Sequence, residues 1–420
     1  MNNLFLVLST AALLVLGACA IDNPNQSGDL LSENPLLGGW STPFQSPPFD
    51  LIEEKHFNPA FEEAMRLHLE EVASITENAE APTFENTIEG LDLSGELLER
   101  VRLVFLNLNA ADTSEGLQVL AKEINPRLTG HRDDILLNST LFGRVKAVFE
   151  QKDSLDLTTE QNRLLDKKYR AFVRGGANLD AEEKDRLREL NAELAKLSTQ
   201  FGENLLKDMN TVALLVEDEA ELIGLPQAVR DSASALASAQ GHEGAWAFNL
   251  QRTSWTPFLQ LSERRDLREK LYTAYTRLGH NGGETENSGI AAHIAALRAQ
   301  RAQLLGYDSH ASYVLEENMA ETPERVYELL DKLWIPALAK AKVERAELQG
   351  LADTLGDDLQ IAMWDWWYYA EKLRAVKYDF DEEDVKPYLQ LENVRQAAFD
   401  VAGKLWGITF EQRDDVQVYH

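Results

Sequence analysis

Cysteine is nearly missing from this chain: Cys19 is the only one in 420 residues. A disulfide framework is therefore excluded, and stability has to come from core packing. Positive charge is scarce as well, with 41 Lys and Arg against 70 Asp and Glu and a formal net charge of −29. That balance excludes general nucleic-acid binding, which needs clustered cations opposite phosphates. It also disfavours electrostatic adhesion to anionic lipid, and is read most simply as a solvated surface. Beyond the N-terminus no apolar run is long enough to cross a bilayer. Several chemical signatures are lacking too. None of the eight histidines forms the H-E-x-x-H spacing that sets two imidazoles on one helix face for zinc. His242-Glu243 begins such a motif, but Trp246 stands where the second histidine belongs. There is no G-x-S-x-G elbow, and Gly403-Lys404 lacks the upstream glycine of a phosphate loop.

What is present begins with "MNNLFLVLSTAALLVLGACA". Its apolar stretch from Leu4 to Gly17, followed by small residues, reads as a secretory signal. Leu16-Gly17-Ala18-Cys19 resembles a bacterial lipobox, although the n-region carries no Lys or Arg. The expectation is a signal peptide over residues 1–18, lipidation of Cys19, and a flexible tether over 19–45 that is rich in Asn, Ser, Gly and Pro. Ala20 after the cysteine resembles lipoproteins forwarded to the outer membrane. A periplasm-facing lipoprotein of the cell envelope follows, touching the membrane only through its anchor. With Cys19 so engaged, no cysteine nucleophile remains. "STPFQSPPFDLI" then brings prolines and aromatic residues, an extended lead-in that must dock on a body.

Helical periodicity dominates the rest. Phe61, Met65, His68, Val72 and Ile75 define one buried face, with His68 as a packed histidine rather than a ligand. Leu187, Leu190, Leu194, Leu197, Phe201, Leu205 and Met209 define another, on a long helix opened by the capping box Asp180/Glu183. Thr158 with Gln161 is a second box. Thr322-Pro323 opens a helix whose face continues through Val326, Leu329, Leu330, Leu333 and Trp334. Strand signals are few: "VALLVE" at 212–217 and "AWAFNL" at 245–250 suggest a small hairpin or sheet, and "GITFEQRDDVQVYH" at 407–420 reads as a second β region. The fold class is thus mainly α with minor β hairpins. "GHNGGETEN" (Gly279 to Asn287) reads as a solvated connector without EF-hand spacing, or a loop flanking a cleft. "MWDWWYYAEKLR" concentrates aromatic residues, with Trp364, Trp367 and Tyr368 on one helical face that calls for burial or a groove. Residue chemistry alone thus gives an acidic, helical, exported protein without a complete active site.

Whole segments carry a resemblance. "PFDLIEEKHFNPAFEEAM" (48–65), "PTFENTIEGLDLSGELLER" (82–100), "SERRDLREKLYTAYTRLG" (262–279) and "IAALRAQRAQLLGYDSHASY" are similar to the thimet-oligopeptidase family of zinc metallopeptidases. "WDWWYYAEKLRAVKYDFDEEDVKPYLQLENV" and the closing "LWGITFEQRDDVQVYH" resemble its bacterial peptidyl-dipeptidase (dipeptidyl carboxypeptidase, Dcp) branch most closely. The resemblance implies a two-lobed helical body around a deep channel. It also implies zinc held by an H-E-F-G-H helix with a glutamate from a later helix, oligopeptides as substrates, and release of C-terminal dipeptides. In the family the zinc helix follows the "VYH" segment, so no catalytic or metal-ligating residue is assigned here and no zinc is expected on this chain itself. Residues 46–250 are expected to form an N-terminal helical domain, and 251–420 the first part of the peptidase domain. A monomer is expected, inactive alone, with its tail (Phe410, Val416, Val418) exposed and His420 an ordinary residue. The alternatives are a non-catalytic helical lipoprotein that binds peptides or a partner, and an envelope protein without a ligand.

Overall fold

The computed structural model describes residues 34–378 and 385–419. Cys19, the signal and most of the tether lie outside the described residues, as does His420. Within the expected tether, Asn34 to Trp40 already sit on the body. Leu36 is fully buried, Asn34 Nδ2 donates to His56 O at 2.8 Å, and the Arg100 guanidinium lies 4.9 Å above the Trp40 ring.

The first core forms where α1 (Phe57–Thr76), α2 (Glu96–Ala111) and α3 (Glu115–Leu136) pack together. Phe57 and Phe61 meet Phe105 edge-on at 5.2 and 5.6 Å, and each such buried ring contributes about 1.5–3 kcal/mol by burial. A π-helical segment, Phe84–Glu89, is opened by Thr83 accepting from Asn86 N. It brings Phe84 and Ile88 onto α4 (Ser139–Glu150) and α5 (Thr159–Arg174). Helix α6 (Ala181–Asn210) then runs the length of the body. The predicted boxes at Thr158/Gln161 and Asp180/Glu183 both form. The predicted α6 face is buried at Leu187, Leu190, Leu194 and Leu197. It packs on α3 and on α10 (Ser288–Leu304), which contributes Ile294 and Leu297.

Strands β1 (Val212–Val216) and β2 (Trp246–Asn249) pair antiparallel, with Val216 opposite Trp246 and Leu214 opposite Phe248. Of the expected hairpin or sheet, the structure forms the small sheet. The two strands are joined not by a tight turn but by residues 217–245, which include α7 (Gln227–Ala239). The ribbon's apolar residues complete a core with α8 (Arg252–Leu261) and α9 (Arg265–Thr276). His242-Glu243 lies in the turn before β2, as its Gly-rich flanks imply.

The chain continues through α11 (His310–Leu315), the long α12 (Pro323–Leu355), α13 (Trp366–Tyr378) and α14 (Leu391–Trp406). Three expectations need correcting in this stretch. The α12 face is open rather than core: Leu329, Leu330, Leu333 and Trp334 are all more than half exposed, Trp334 at 62%. The C-terminal half of α12 is where its buried residues lie, Leu348 and Ala352 packing with Ile361 and Tyr369. In the aromatic segment the deeply buried positions are Asp365 and Tyr369, one turn apart, while Trp367 stays exposed at 38%. The buried face is tilted away from the predicted one because Asp365 is drawn inward by two arginines. Arg265 Nη2 and Arg268 Nη2 each donate to its carboxylate at 2.9 Å, and Ala362 N donates at 3.0 Å. Finally, residues 407–419 form no strand. Gly407 at φ 68° closes α14, and a solitary segment has no ladder to join. Phe410 is 47% and Val418 72% exposed, while Val416 is half-buried. The segment rests on one near and one distant contact, Phe410 stacking on Phe399 at 4.1 Å and Tyr419 meeting Phe49 of the N-terminal lead-in edge-on at 5.3 Å.

Candidate functional site

An open groove of about 1280 Å³ lies between α1, the segment 92–103, α3 and α6. Small-molecule sites occupy about 300–1,000 Å³, so this one has room for several residues of an extended chain. Its walls combine exposed apolar side chains, Leu93 and Leu103 among them, with Glu96, Glu99, Arg102 and two histidines. Such a lining suits a peptide, whose backbone needs polar partners and whose side chains need apolar ones.

Helix α1 delivers His68 to this groove, and α3 delivers His131. His131 Nε2 lies 2.9 Å from His68 Nδ1, and His68 Nε2 lies 3.3 Å from Ser94 Oγ. The Ser94 hydroxyl donates to Leu91 O at 2.9 Å, so it is an acceptor toward His68. That assigns the relay: His131 Nε2–H donates to His68 Nδ1, and His68 Nε2–H donates to Ser94. His68, accepting at Nδ1 and donating at Nε2, is therefore neutral. Burial pushes His131 down to about 4, helped by the charge His68 would carry. Burial also lowers His68, against the opposing pull of Glu71. His68 is thus not simply a core histidine; it is half-buried and forms part of the groove wall. Gly95 makes this placement possible. It has φ 79° and begins α2, and an added Cβ would lie 2.7 Å from His68 Cε1. Its N–H donates to Glu71 Oε2 at 2.7 Å, which ties the turn to α1.

The loop over Gly279–Asn287 proves to be an anchored connector. Gly279 N donates to buried Asp208 at 2.7 Å, and Asn287 Nδ2 to Phe201 O at 3.0 Å. On its outer side His280 Nδ1 lies 2.9 Å from Glu286, whose carboxyl is held at about 2 by hydrogen bonds from His280 and Ser288. A second cavity adjoins the groove and shares Thr129, Arg132, Leu136, Ala195 and Ser198 with it. Sequence reasoning missed both it and the histidine pair. The available signal was an arginine pair, Arg298 and Arg301, three residues apart on one helix of an acidic chain.

Comparison with known proteins finds a similar family. The model for peptidase family M3 matches residues 258–420. Along 391 residues the chain is 37% identical to the dipeptidyl carboxypeptidase of Salmonella typhimurium, covering 93% of this chain and 58% of that protein. This chain is thus similar to members of peptidase family M3. The dipeptidyl carboxypeptidase of Escherichia coli is 36% identical over 388 residues, 92% of this chain and 57% of that protein. Oligopeptidase A of Escherichia coli is 31% identical over 391 residues, with 92% and 57% covered. The chain therefore spans somewhat under three fifths of the length of these relatives.

Family M3 peptidases are zinc enzymes, and the residues present here do not fit that metal. Structural and catalytic zinc sites need three or four converging N, S or O ligands. Among the described residues no three His, Cys, Asp or Glu side chains come together in that way. The nearest approach is His68 with His131, but these nitrogens are engaged with each other and with Ser94. No hydrolytic step is therefore assigned to these residues.

Proposed function

We propose that this chain supplies the N-terminal lobe (46–250) and the first part of the peptidase domain (251–420) of a zinc peptidyl-dipeptidase. Its substrates are oligopeptides, from whose C-termini it releases dipeptides. The carrying observation is the colinear match to two dipeptidyl carboxypeptidases at 37% and 36% identity, against 31% for oligopeptidase A. The start of the family match at residue 258 supports the division near 250. In this reading the groove between α1 and α6 forms a channel wall that binds and orients the peptide. The zinc-bound water and its general base come from an H-E-x-x-H helix that residues 1–420 do not contain. Alone, these residues bind no catalytic zinc and leave peptides intact.

The lipobox-like Leu16-Gly17-Ala18-Cys19 supports export and acylation at Cys19, with Ala20 favouring the outer membrane. The protein then acts as a monomer facing the periplasm, without nucleic-acid partners. Fusing the H-E-x-x-H-bearing portion of a dipeptidyl carboxypeptidase after residue 420 tests the activity. The expected products from N-blocked peptides are successive C-terminal dipeptides, and internal cuts would favour an oligopeptidase instead. Palmitate labelling of wild type but not of Cys19→Ser tests the anchor.

A further inference from the structure

The cavity that adjoins the groove has an unusual charge for this protein. It is about 270 Å³ in volume and takes Arg132 from α3, Arg174 from the end of α5, and Arg298 and Arg301 from α10. Arg174 is already engaged. It pairs with Glu316 and lies 3.6 Å from Glu317, and its Nη2 donates to Tyr313 O at 2.8 Å. The other three arginines have no ion pair among the described residues. The single lining carboxylate, Asp133, is buried and receives both its oxygens' hydrogen bonds from Asn191 Nδ2, at 3.0 and 3.1 Å. Three unpaired guanidinium groups against one carboxylate leave two positive charges at this point of a chain whose net charge is −29.

Arg301 shows that this charge is not merely solvated. Its Nε is buried without a hydrogen-bond partner among the described residues, and its Nη1 makes a long contact to Asn191 Oδ1 at 3.3 Å. A buried, unpaired donor on a cation is costly. Burial weakens the protonated form of Arg301, and the charges of Arg298 and Arg132 weaken it further. His310 Nδ1 is likewise buried without a partner, and Arg301 and Arg298 disfavour its protonation after burial does. The Tyr313 ring fixes the arrangement, with Arg174 at 4.4 Å and Arg301 at 5.4 Å.

We propose that this cavity is a binding site for a phosphate dianion, free or as the terminal group of a small phosphorylated molecule. A dianion neutralises the two uncompensated charges, and guanidinium forks match phosphate oxygens geometrically. The three arginines come from α3 and α10, which lie on either side of α6, so the bound anion clamps these helices together beside the groove. The proposal does not depend on the peptidase reading.

Calorimetric titration of the full chain with inorganic phosphate, at ionic strength held constant with chloride, tests this. Saturable one-to-one binding is expected, weakened about tenfold or more in Arg298→Gln and in Arg132→Gln. Both of these side chains are exposed at the cavity mouth, so the variants retain the fold, and circular dichroism checks that they do. Glycerol phosphate in place of inorganic phosphate separates the two sources, and saturable binding of either supports the site. Absence of saturable binding by both, or unchanged affinity in both variants, would overturn it. So would saturation by a free-carboxylate peptide, with neither phosphate able to compete.

Discussion

Helices α6 and α12 carry apolar stripes of the same periodicity, yet their fates differ. On α6, Leu187, Leu190, Leu194 and Leu197 are enclosed by α3 and α10. On α12, Leu329, Leu330, Leu333 and Trp334 face outward, and Ile335 beside them is 72% exposed. The difference lies in neighbours, not in pattern. Periodicity reports that a helix has an apolar face; it does not report what covers that face. Helix α14 repeats the lesson, since Leu405 and Trp406 are both exposed.

The comparison can be broken at its junction first. Asp365 is fully buried between Arg265 and Arg268 and ties the Ile361–Asp365 stretch to α9. Asp365→Ala strands Arg268, itself almost fully buried, and is expected to cost about 3–5 kcal/mol in urea unfolding. A loss under 1 kcal/mol would show that the clasp is not structural. Next comes the direct contrast. Leu190→Ala on α6 is expected to cost about 2–5 kcal/mol, whereas Leu333→Ala on α12 should stay within about 0.5 kcal/mol. Equal losses would erase the distinction between the two faces.

The histidine pair gives a pH-dependent version. His131 is depressed from 6.5 to about 4 in the folded chain, so the unfolded chain binds the extra proton between those values. Its contribution is present above pH 6.5 and is lost as pH falls toward 4, amounting to roughly 3 kcal/mol. His131→Gln should flatten that part of the stability–pH curve, and an unchanged curve would place the acid sensitivity elsewhere. A smaller effect is expected from Gly95→Ala. The strained positive φ and the contact with His68 predict a loss of about 1–3 kcal/mol, together with shifted His68 ring resonances.

Much of the fold was legible because its signals are local. The boxes at Thr158/Gln161 and Asp180/Glu183, the Thr322-Pro323 start and the two strands are each written within a few residues. What escaped depends on distant partners. His68 meets His131 across 63 positions, and Arg268 meets Asp365 across 97. No spacing rule reaches that far, and the inward pull on Asp365 is what tilted the aromatic face away from its helical prediction. The tail failed for a related reason: alternation at Val416 and Val418 marks strand potential, but a strand needs an edge to pair with. The zinc chemistry was legible only as a missing motif, and the lining of the groove was not, because it is assembled from five separate segments.

The central proposal is that the groove serves as a channel wall for peptides and that no hydrolytic metal centre forms among the described residues. Its most direct test is equilibrium dialysis of the purified chain against zinc, with chromatography of N-blocked oligopeptides incubated with the same sample. The account predicts no stoichiometric zinc and intact peptides. One chelator-sensitive zinc per chain with released dipeptides would contradict it.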